Sequence, residues 1–341
     1  MAPVRTVGVI GAGSFGTSLA ALLTDKGLAV TLWSHGEDSA RAIREEHENK
    51  VYLPGIRLPD ALEVSTDLAS VVAGKDMVLS VPPSHVVREL WGRAARFLAP
   101  ESVVVSASKG IEVESGLVMS QVLEQVLPAP NRPRLAFLSG PSFAREVAQH
   151  MPTAVAVAST SDSVARTVQE ALATPYFRAY TNDDVMGVEV GGALKNVVAI
   201  ACGVSDGLGL GFNTRAAIIT RGLAEITRLG IKLGAKPLTF AGLAGMGDLV
   251  LTCTGDLSRN RTVGMRLGKG EKLDEILGSM RMVAEGVRTT RSAHELALKL
   301  YVDMPITAQI YAMLYKGQSP AAAVAALMGR DLKPELAGIA W

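Results

Sequence analysis

Short apolar runs rich in β-branched residues alternate with stretches of helical spacing between Thr6 and about Thr181. This alternation predicts a parallel β-sheet covered by helices. The predicted strands are Thr6–Ile10, Ala29–Trp33, Leu62–Ser65, Met77–Val81, Ser102–Ser106, Arg134–Ser139, Thr153–Ser159 and Phe177–Thr181. The predicted helices between them are Thr17–Lys26, Ser39–Asn49, His85–Phe97, Ser115–Leu127 and Ser163–Ala173.

The pattern changes after Asn182, where helical runs follow one another without convincing strands. The turn just before this change carries Asp183 and Asp184, either of which can cap the next helix. The helical runs cover 185–203, 213–229, 237–251, 259–268, 285–300 and 305–316, and Ala321–Ala326 favours one more helix. We therefore expect an α/β protein with a sheet domain over residues 1–183 and an all-helical domain over residues 184–341.

A glycine-rich turn directly follows the first predicted strand and directly precedes the first predicted helix. Its sequence, Gly11-Ala12-Gly13-Ser14-Phe15-Gly16, matches G-x-G-x-x-G. Gly11 permits the tight turn, Gly13 lets the backbone approach a pyrophosphate, and Gly16 lets the helix pack close to the sheet. Such turns also occur without a nucleotide, but the strand, turn and helix in register favour a Rossmann-like dinucleotide-binding domain.

The end of the second predicted strand bears on which dinucleotide is bound. An acid is expected there if the 2′-hydroxyl of NAD is the partner, but the strand ends Leu32-Trp33-Ser34-His35. Glu37 and Asp38 come slightly later and fit ordinary helix-cap residues, whereas His35 and Arg41 can meet a 2′-phosphate. We expect NADPH or NADH as the cofactor, with NADPH favoured.

Two further segments follow predicted strands, at the end of a parallel sheet where ligands bind. One contains Lys109 in Ser108-Lys109-Gly110, for which a solvated loop lysine is the alternative interpretation. The other is Ser139–Ala144, in which Gly140, Ser142 and Ala144 can donate backbone N–H groups to the oxygens of a substrate. Alone, this second segment indicates only a turn.

A lysine stands next to an asparagine in the middle of a mostly apolar helix start, Gly187–Ala199. Desolvation and a second cation would lower the pKa of Lys195 toward the range useful for proton transfer. The alternative is a snorkelling lysine, whose stem packs while its amine reaches water. Asp248, in an apolar glycine-rich segment, can pair with Lys195 or cap a helix.

A basic segment, Ser258-Arg259-Asn260-Arg261, precedes another helical run. It combines a helix cap with a cation that can bind a phosphate through two hydrogen bonds. A solvated basic turn explains the same residues equally well.

The charge balance and the rare cysteines exclude several classes of protein. With 34 Lys+Arg against 33 Asp+Glu the net charge is +1, so no overall field favours nucleic acid or an anionic membrane. Cys202 and Cys253 form no CxxC pair and the five histidines are scattered, which predicts a reduced, cytoplasmic protein without a metal site. Glycines interrupt the uncharged stretch Thr6–Thr24, so we expect neither a signal sequence nor a membrane span.

Taken together, these segments resemble the NAD(P)-dependent glycerol-3-phosphate dehydrogenase family of bacterial type. The matching segments lie in family order along nearly the whole chain. They are Gly11–Gly16, Asn49–Gly55, Ser108–Gly110, Ser139–Ala144, Gly187–Asn196, Gly245–Asp248, Ser258–Asn260 and Val283–Gly286. Recurrence of all of them by chance is far less expected than recurrence of the first alone.

The resemblance implies a reversible enzyme that reduces dihydroxyacetone phosphate to glycerol 3-phosphate, for phospholipid synthesis. Hydride passes to C2, and Lys195 is the proton donor and acceptor. The implied cofactor contacts are Gly11, Gly13, Ser14, Phe15, Gly16, His35, Lys109, Ala144, Arg259, Val283 and Glu285. The implied substrate contacts are Lys109, Gly140, Ser142, Lys195, Asp248, Ser258, Arg259 and Asn260.

Two other functions compete with this interpretation. A different β-hydroxyacid or sugar-acid dehydrogenase would share the glycine-rich turn and a helical lysine, but would not need Ser258-Arg259-Asn260 for a phosphate. A nucleotide-sensing regulator without activity would keep the first domain and lose the chemistry, and Lys109, Lys195 and Asp248 argue against it. The expected partner is a small-molecule substrate, and the oligomeric state stays open, with a homodimer as one possibility.

Overall fold

The computed structural model describes residues 2–280, 284–332 and 334–335. Within these residues the chain forms two compact units. The first comprises the residues up to Ser108 together with Met119–Val185, and the second comprises Lys109–Val118 together with the residues from Met186 onward. Each unit has its own buried apolar core.

In its described residues, the first unit is built on one eight-stranded sheet. The strand order is β3-β2-β1-β4-β5-β6-β7-β8. Its strands are β1 Thr6–Ile10, β2 Ala29–Trp33, β3 Glu63–Ser65, β4 Met77–Ser80, β5 Val103–Ser106, β6 Leu135–Ser139, β7 Thr153–Ala158 and β8 Phe177–Asn182. β1 pairs with both β2 and β4, and the strand order reverses between β1 and β4. Ligands bind outside the carboxyl ends of the strands at such a switch point.

Helices cover this sheet and bury both of its faces. They are α1 Ser14–Asp25, α2 Glu37–Glu46, α3 Leu68–Val72, α4 Val87–Ala94, α5 Met119–Val126, α6 Ala144–Ala148 and α7 Asp162–Leu172. Short 3-10 turns lie at Ser84–Val86, Ala95–Phe97 and Ala129–Arg134. Val7, Leu79 and Val105 of the central strands are fully buried, as the apolar runs predict. The predicted Rossmann-like class is confirmed.

Two strands depart from the predicted parallel sheet. β7 runs antiparallel to β6, with Leu138 opposite Val157, and β8 runs parallel to β7, so the expectation of a wholly parallel sheet was wrong. The connection from Ser139 to Thr153 contains only α6, which is about 7.5 Å long, whereas the five residues of β6 span about 16 Å. A helix that short does not carry the chain back along the strand, as a parallel crossover requires.

The second unit consists mainly of helices. They are α8 Val185–Gly207, α9 Gly211–Lys232, α10 Asp248–Thr254, α11 Arg259–Gly268, α12 Leu273–Ser279, α13 Glu285–Leu300, α14 Pro305–Lys316 and α15 Pro320–Met328. A 3-10 turn at Pro237–Ala241 and a π-helical turn at Leu243–Gly247 precede α10. By length and composition α8 could cross a membrane, but 83% of its most apolar window is buried inside the protein, as in the core helix of a globular domain.

The division into units differs from the predicted domains 1–183 and 184–341 in one internal segment and at the boundary, where Asp184 and Val185 group with the sheet. Lys109–Val118 groups with the helices, although the sequence analysis placed it in the sheet domain. Ile111 and Val118 pack into the same core as residues of α8, and Ser292 Oγ on α13 donates a hydrogen bond to the Ile111 carbonyl. This packing places Lys109 in the helical unit.

A buried carboxylate joins two helices of this unit. Glu225 on α9 is 1% exposed and accepts hydrogen bonds from the Ile306 and Thr307 backbone amides, at 2.5 and 3.0 Å, and from the Thr307 hydroxyl. These contacts give hydrogen-bond partners to backbone N–H groups in the first turn of α14, which have none within the helix. Burial raises the pKa of Glu225 to about 7.

We expect this pKa to make the stability of the fold depend on pH. Because the folded-state pKa lies above the unfolded value, the folded chain keeps a proton that the unfolded chain loses between about pH 4.5 and 7, and stability falls as pH rises through that window. The loss is on the order of 3 kcal/mol. Urea unfolding at pH 5 and pH 7.5 measures it. If the free energy of unfolding of Glu225→Gln fell by the same amount between these two pH values, Glu225 would not be the cause of the loss.

Candidate active site

The glycine-rich turn occupies the carboxyl end of β1. Gly11 has a φ of +116°, and a Cβ there would lie 3.1 Å from the backbone of Val81. A Cβ on Gly16 would lie 1.9 Å from the Gly11 carbonyl oxygen, so the packing of α1 requires glycine at this position. A Cβ on Gly13 would meet no described atom within 4 Å. The turn is therefore tight at Gly11 and Gly16 and open beside Gly13.

This open side fits the pyrophosphate of a dinucleotide. Gly13 occupies the N-cap position of α1 and has no side chain with which to cap the helix, so the helix N-terminus can receive an anion. Ser14 donates its hydroxyl proton to the Tyr52 carbonyl at 2.6 Å, and Phe15 packs partly buried against the core. The residues present fit the cofactor that the sequence analysis predicted.

The end of β2 presents His35 at the surface. Its ring lies edge-on to Trp33 at a centroid distance of 5.8 Å. The acids that follow have partners of their own, because Glu37 pairs with Arg44 and Asp38 pairs with Arg41. His35 is thus an exposed group at the position where an acid would bind the 2′-hydroxyl of NAD.

The segment after β6 gives Ser142 a local partner. Ser142 Oγ donates to the Gly140 carbonyl at 3.0 Å, which leaves the hydroxyl oxygen able to accept. Gly140 has a φ of +140°, and a Cβ there would lie 2.9 Å from Val155 Cα. Ala144 is the first residue of α6. The structure therefore requires glycine at position 140 for the fold itself.

In the second unit, one carboxylate holds two lysines. Asp248, at the start of α10, accepts from Lys109 Nζ through Oδ2 at 2.6 Å and from Lys195 Nζ through Oδ1. Lys195 is 7% exposed and Asp248 is 1% exposed. Lys195 is therefore a buried, paired lysine, and the snorkelling alternative does not describe it.

Close helix packing brings this cluster together. A Cβ on Gly191, one turn before Lys195, would lie 2.6 Å from the Ala244 carbonyl oxygen, so α8 packs directly against the π-helical turn that precedes Asp248. Thr252 Oγ1 donates to the Asp248 carbonyl at 2.6 Å. Single π-helical turns occur frequently at functional sites.

Burial and the neighbouring charges together shift the pKa values of Lys195 and Asp248. Burial lowers the pKa of Lys195 to about 7, an effect that Asp248 opposes and Lys109 reinforces. Burial alone would raise the pKa of Asp248, but Lys109 and Lys195 outweigh it and lower that pKa. Asp248 thus stays ionised while Lys195 can change its charge near neutral pH.

A second polar group in this unit surrounds the start of α11. Asn260 Nδ2 donates to Asn196 Oδ1 at 2.9 Å, and Asn260 Oδ1 accepts from the Gly286 amide at 2.9 Å. Asn196 directly follows Lys195 in α8. Asn260 therefore joins α8, α11 and α13 and orients the Asn196 amide.

Ser258, Arg259 and Glu285 lie at the starts of α11 and α13. Ser258 Oγ accepts from the Arg261 amide at 3.3 Å and still has its proton to donate. Arg259 is exposed at the surface, yet desolvation by the protein around its guanidinium lowers its pKa, an effect that the nearby Glu285 opposes. Val283, another predicted cofactor contact, lies outside the described residues.

Sequence reasoning gave no role to Asn196, Thr252 or Asn49. The sequence offered a signal for two of these residues: Asn196 directly follows Lys195, and Thr252 lies one helical turn after Asp248. Among the residues that the structure describes, no group of three or more His, Cys, Asp or Glu side chains could hold a metal ion.

Comparisons with known proteins agree over nearly the whole chain. A family model described as NAD-dependent glycerol-3-phosphate dehydrogenase N-terminus matches residues 6–165, and the model of the C-terminus matches residues 184–325. A protein of Citrifermentans bemidjiense named glycerol-3-phosphate dehydrogenase (NAD(P)+) is 59% identical over 96% of this chain and 98% of its own length. A protein of the same name from Leptospira biflexa is 56% identical over 96% of this chain and 99% of its own length.

A solved structure has a similar fold. The crystal structure of glycerol-3-phosphate dehydrogenase from Coxiella burnetii matches with a TM-score of 0.92 and 39% identity, covering 96% of this chain and 99% of that one.

Proposed function

The chain belongs to the NAD-dependent glycerol-3-phosphate dehydrogenase family, and on that premise we propose that it reversibly reduces dihydroxyacetone phosphate to sn-glycerol 3-phosphate with NAD(P)H. The observation that carries this proposal is the buried cluster of Lys195, Asp248 and Lys109. An enzyme that makes an alkoxide from a ketone needs a positioned proton donor, and Lys195 has the burial and the pKa for it.

Lys195 moves the proton. Bound NAD(P)H supplies the hydride that C2 of the substrate receives. As an ammonium, Lys195 polarises the ketone oxygen and then protonates it, and in the reverse direction the neutral amine takes the alcohol proton. Asp248 orients the Lys195 ammonium through its hydrogen bond. Lys109 adds positive charge and helps to lower the pKa of Lys195.

The phosphate of the substrate does not react, so its binding serves to position C2. We assign this role in the second unit to Arg259, Ser258 and the pair of Asn260 and Asn196. The Ser258 hydroxyl oxygen and the amide of Asn196 are held by the contacts described above. In the first unit, Gly140 and Ser142 are the proposed substrate contacts.

The turn Gly11–Gly16 holds the cofactor's pyrophosphate in this proposal, supported by the open side of Gly13. The further proposed cofactor contacts are Ser14, Phe15, His35, Lys109, Ala144, Arg259, Val283 and Glu285. Two buried free cysteines fit a reducing, cytoplasmic compartment, in which the product would supply phospholipid synthesis. A homodimer would cover apolar side chains exposed on the second unit, such as Phe212, and light scattering tests it.

An absorbance assay at 340 nm separates this function from its alternatives. With dihydroxyacetone phosphate, we expect oxidation of the reduced cofactor, and with unphosphorylated keto-acid substrates we expect little. Turnover of a keto acid in preference to dihydroxyacetone phosphate would indicate a different dehydrogenase. Cofactor binding without turnover of any substrate would indicate a regulator.

Cofactor choice follows from the end of β2. Because His35 is exposed where an acid would bind the 2′-hydroxyl of NAD, we expect kcat/KM for NADPH to be at least equal to that for NADH. His35→Asp should lower kcat/KM for NADPH more than for NADH, since a carboxylate repels the 2′-phosphate. A wild-type preference for NADH above about tenfold, roughly 1.4 kcal/mol, would contradict this reasoning.

The pKa of Lys195 predicts opposite pH profiles for the two directions. Reduction needs the ammonium, so its kcat should fall as pH rises above about 7. Oxidation of glycerol 3-phosphate needs the neutral amine, so its kcat should fall as pH drops below about 7. Steady-state rates from pH 5.5 to 9.5 in both directions measure this, and profiles that bend in the same sense would rule it out.

A further inference from the structure

The loop after α2 contains a buried asparagine that faces the glycine-rich turn. Asn49 is 2% exposed, and its Nδ2 donates to the Ala12 carbonyl and to Thr17 Oγ1, both at 2.9 Å. Ala12 lies between Gly11 and Gly13, and Thr17 lies in the first turn of α1. One side chain therefore joins the glycine-rich turn to the helix that it introduces.

The loop itself is held in a shape that presents Asn49. Its Oδ1 accepts from the Tyr52 amide at 3.2 Å, and its carbonyl accepts from the Leu53 amide at 2.7 Å. Ser14 donates back to the Tyr52 carbonyl at 2.6 Å. Loop and turn are thus fastened to each other at Asn49 and at Ser14.

A glycine-rich turn depends on such external contacts for its shape. Glycine loses more conformational freedom on ordering than any other residue, and Gly13 has no Cβ that could restrain it. A ligand that must first order the turn binds more weakly than a ligand that meets a preformed site. The Asn49 amide also holds the Ala12 carbonyl in a hydrogen bond, so that this acceptor is not turned toward an anion.

We propose that Asn49 is a positioning residue, which holds the turn Gly11–Gly16 in the conformation that receives the cofactor's pyrophosphate. This inference rests on the proposed function, because it assigns the pyrophosphate to that turn. It adds a role for the segment Asn49–Gly55, for which the mechanism above has none.

A matched asparagine elsewhere in the same unit provides the control. Asn131 is 1% exposed, and its Nδ2 likewise donates to backbone carbonyls, those of Ala99 at 2.8 Å and Ser102 at 3.3 Å. These carbonyls precede β5, at its amino end, whereas the glycine-rich turn follows the carboxyl end of β1. Loss of Asn131 therefore reports on stability alone.

The test compares Asn49→Ala and Asn131→Ala in the full chain. Calorimetry gives Kd for NADPH and for 2′-phospho-ADP-ribose, which carries the pyrophosphate without the nicotinamide. Inhibition of the enzyme gives Ki for adenosine 2′-phosphate, which lacks the pyrophosphate. We expect Asn49→Ala to raise the first two constants about tenfold or more and to leave the third within twofold. At saturating NADPH, kcat and the KM for dihydroxyacetone phosphate should stay within threefold of the wild type.

The control should lose melting temperature but keep all three constants. If Asn49→Ala does not fold, Asn49→Ser, which keeps a hydroxyl donor, is measured in the same way with the same expected direction. Unchanged binding of NADPH and 2′-phospho-ADP-ribose would overturn the proposal, and so would equal weakening of all three ligands or equal weakening in Asn131→Ala. A wild-type chain that binds none of these ligands, and neither NADH nor ADP-ribose, would instead remove the proposed function on which the inference rests.

Discussion

Lys195→Met should lower kcat for the reduction of dihydroxyacetone phosphate by about 10² to 10⁴, the usual contribution of a positioned acid or base. Methionine is similar in volume to lysine and does not ionise, so the buried space stays filled. Lys109 still pairs with Asp248 at 2.6 Å, so the carboxylate keeps a cationic partner and the fold should survive. Steady-state kcat, NADPH affinity and melting temperature on the same variant measure these effects.

NADPH affinity should be retained in this variant, because the glycine-rich turn belongs to the other compact unit. Lys232→Met, the same substitution at the exposed end of α9, is the matched control, and its kcat and melting temperature should equal those of the wild type. Activity of Lys195→Met within about threefold of the wild type would falsify the catalytic assignment, because a threefold loss lies well below the loss expected when a proton donor is removed.

Arg259→Ala should reduce kcat/KM for dihydroxyacetone phosphate by about 10- to 100-fold, mostly through KM. A charge-assisted hydrogen bond to a phosphate contributes roughly 1.5 to 3 kcal/mol, and it positions the substrate in both the ground and transition states. The melting temperature should change little, since Arg259 is an exposed residue. The measurement is made at saturating NADPH, so that cofactor contacts of Arg259 do not enter.

Unphosphorylated dihydroxyacetone is the internal control, and its slow turnover should be unaffected by Arg259→Ala. Arg266→Ala, two turns further along α11, removes a cation that pairs with Glu271 and should leave both substrates unchanged. If Arg259→Ala weakens both substrates equally, Arg259 does not bind the phosphate.

The strands were predictable because their apolar runs are buried on both sheet faces. β1 Thr6–Ile10 and β2 Ala29–Trp33 have the predicted bounds, as do α13 and α14. Fully buried strands read as short, continuous apolar runs, regularly spaced helices have a strong period, and glycine or proline marks the ends of both. The pairing of Lys195 with Asp248 was predictable in the same way, because a buried ammonium needs a counter-charge.

Features that depend on tertiary contacts were not predictable. α3, α6 and α12 have five to seven residues, too few to show a helical period. The placement of Lys109–Val118 in the helical unit follows from the packing of Ile111 and Val118, which nothing in the local sequence specifies. Asn49 reaches a partner 37 residues away, and the sequence pattern of the loop carries no sign of this contact.

The central claim is that burial, reinforced by the Lys109 ammonium and opposed by Asp248, lowers the pKa of Lys195 so that it can change its charge near neutral pH. NMR titration of the protein with lysine labelled at 13Cε tests it directly. The structure predicts one lysine signal with a pKa of about 7, which disappears in Lys195→Met and persists in Lys232→Met. Titration of every lysine signal near the ordinary pKa of about 10.4 would contradict the claim.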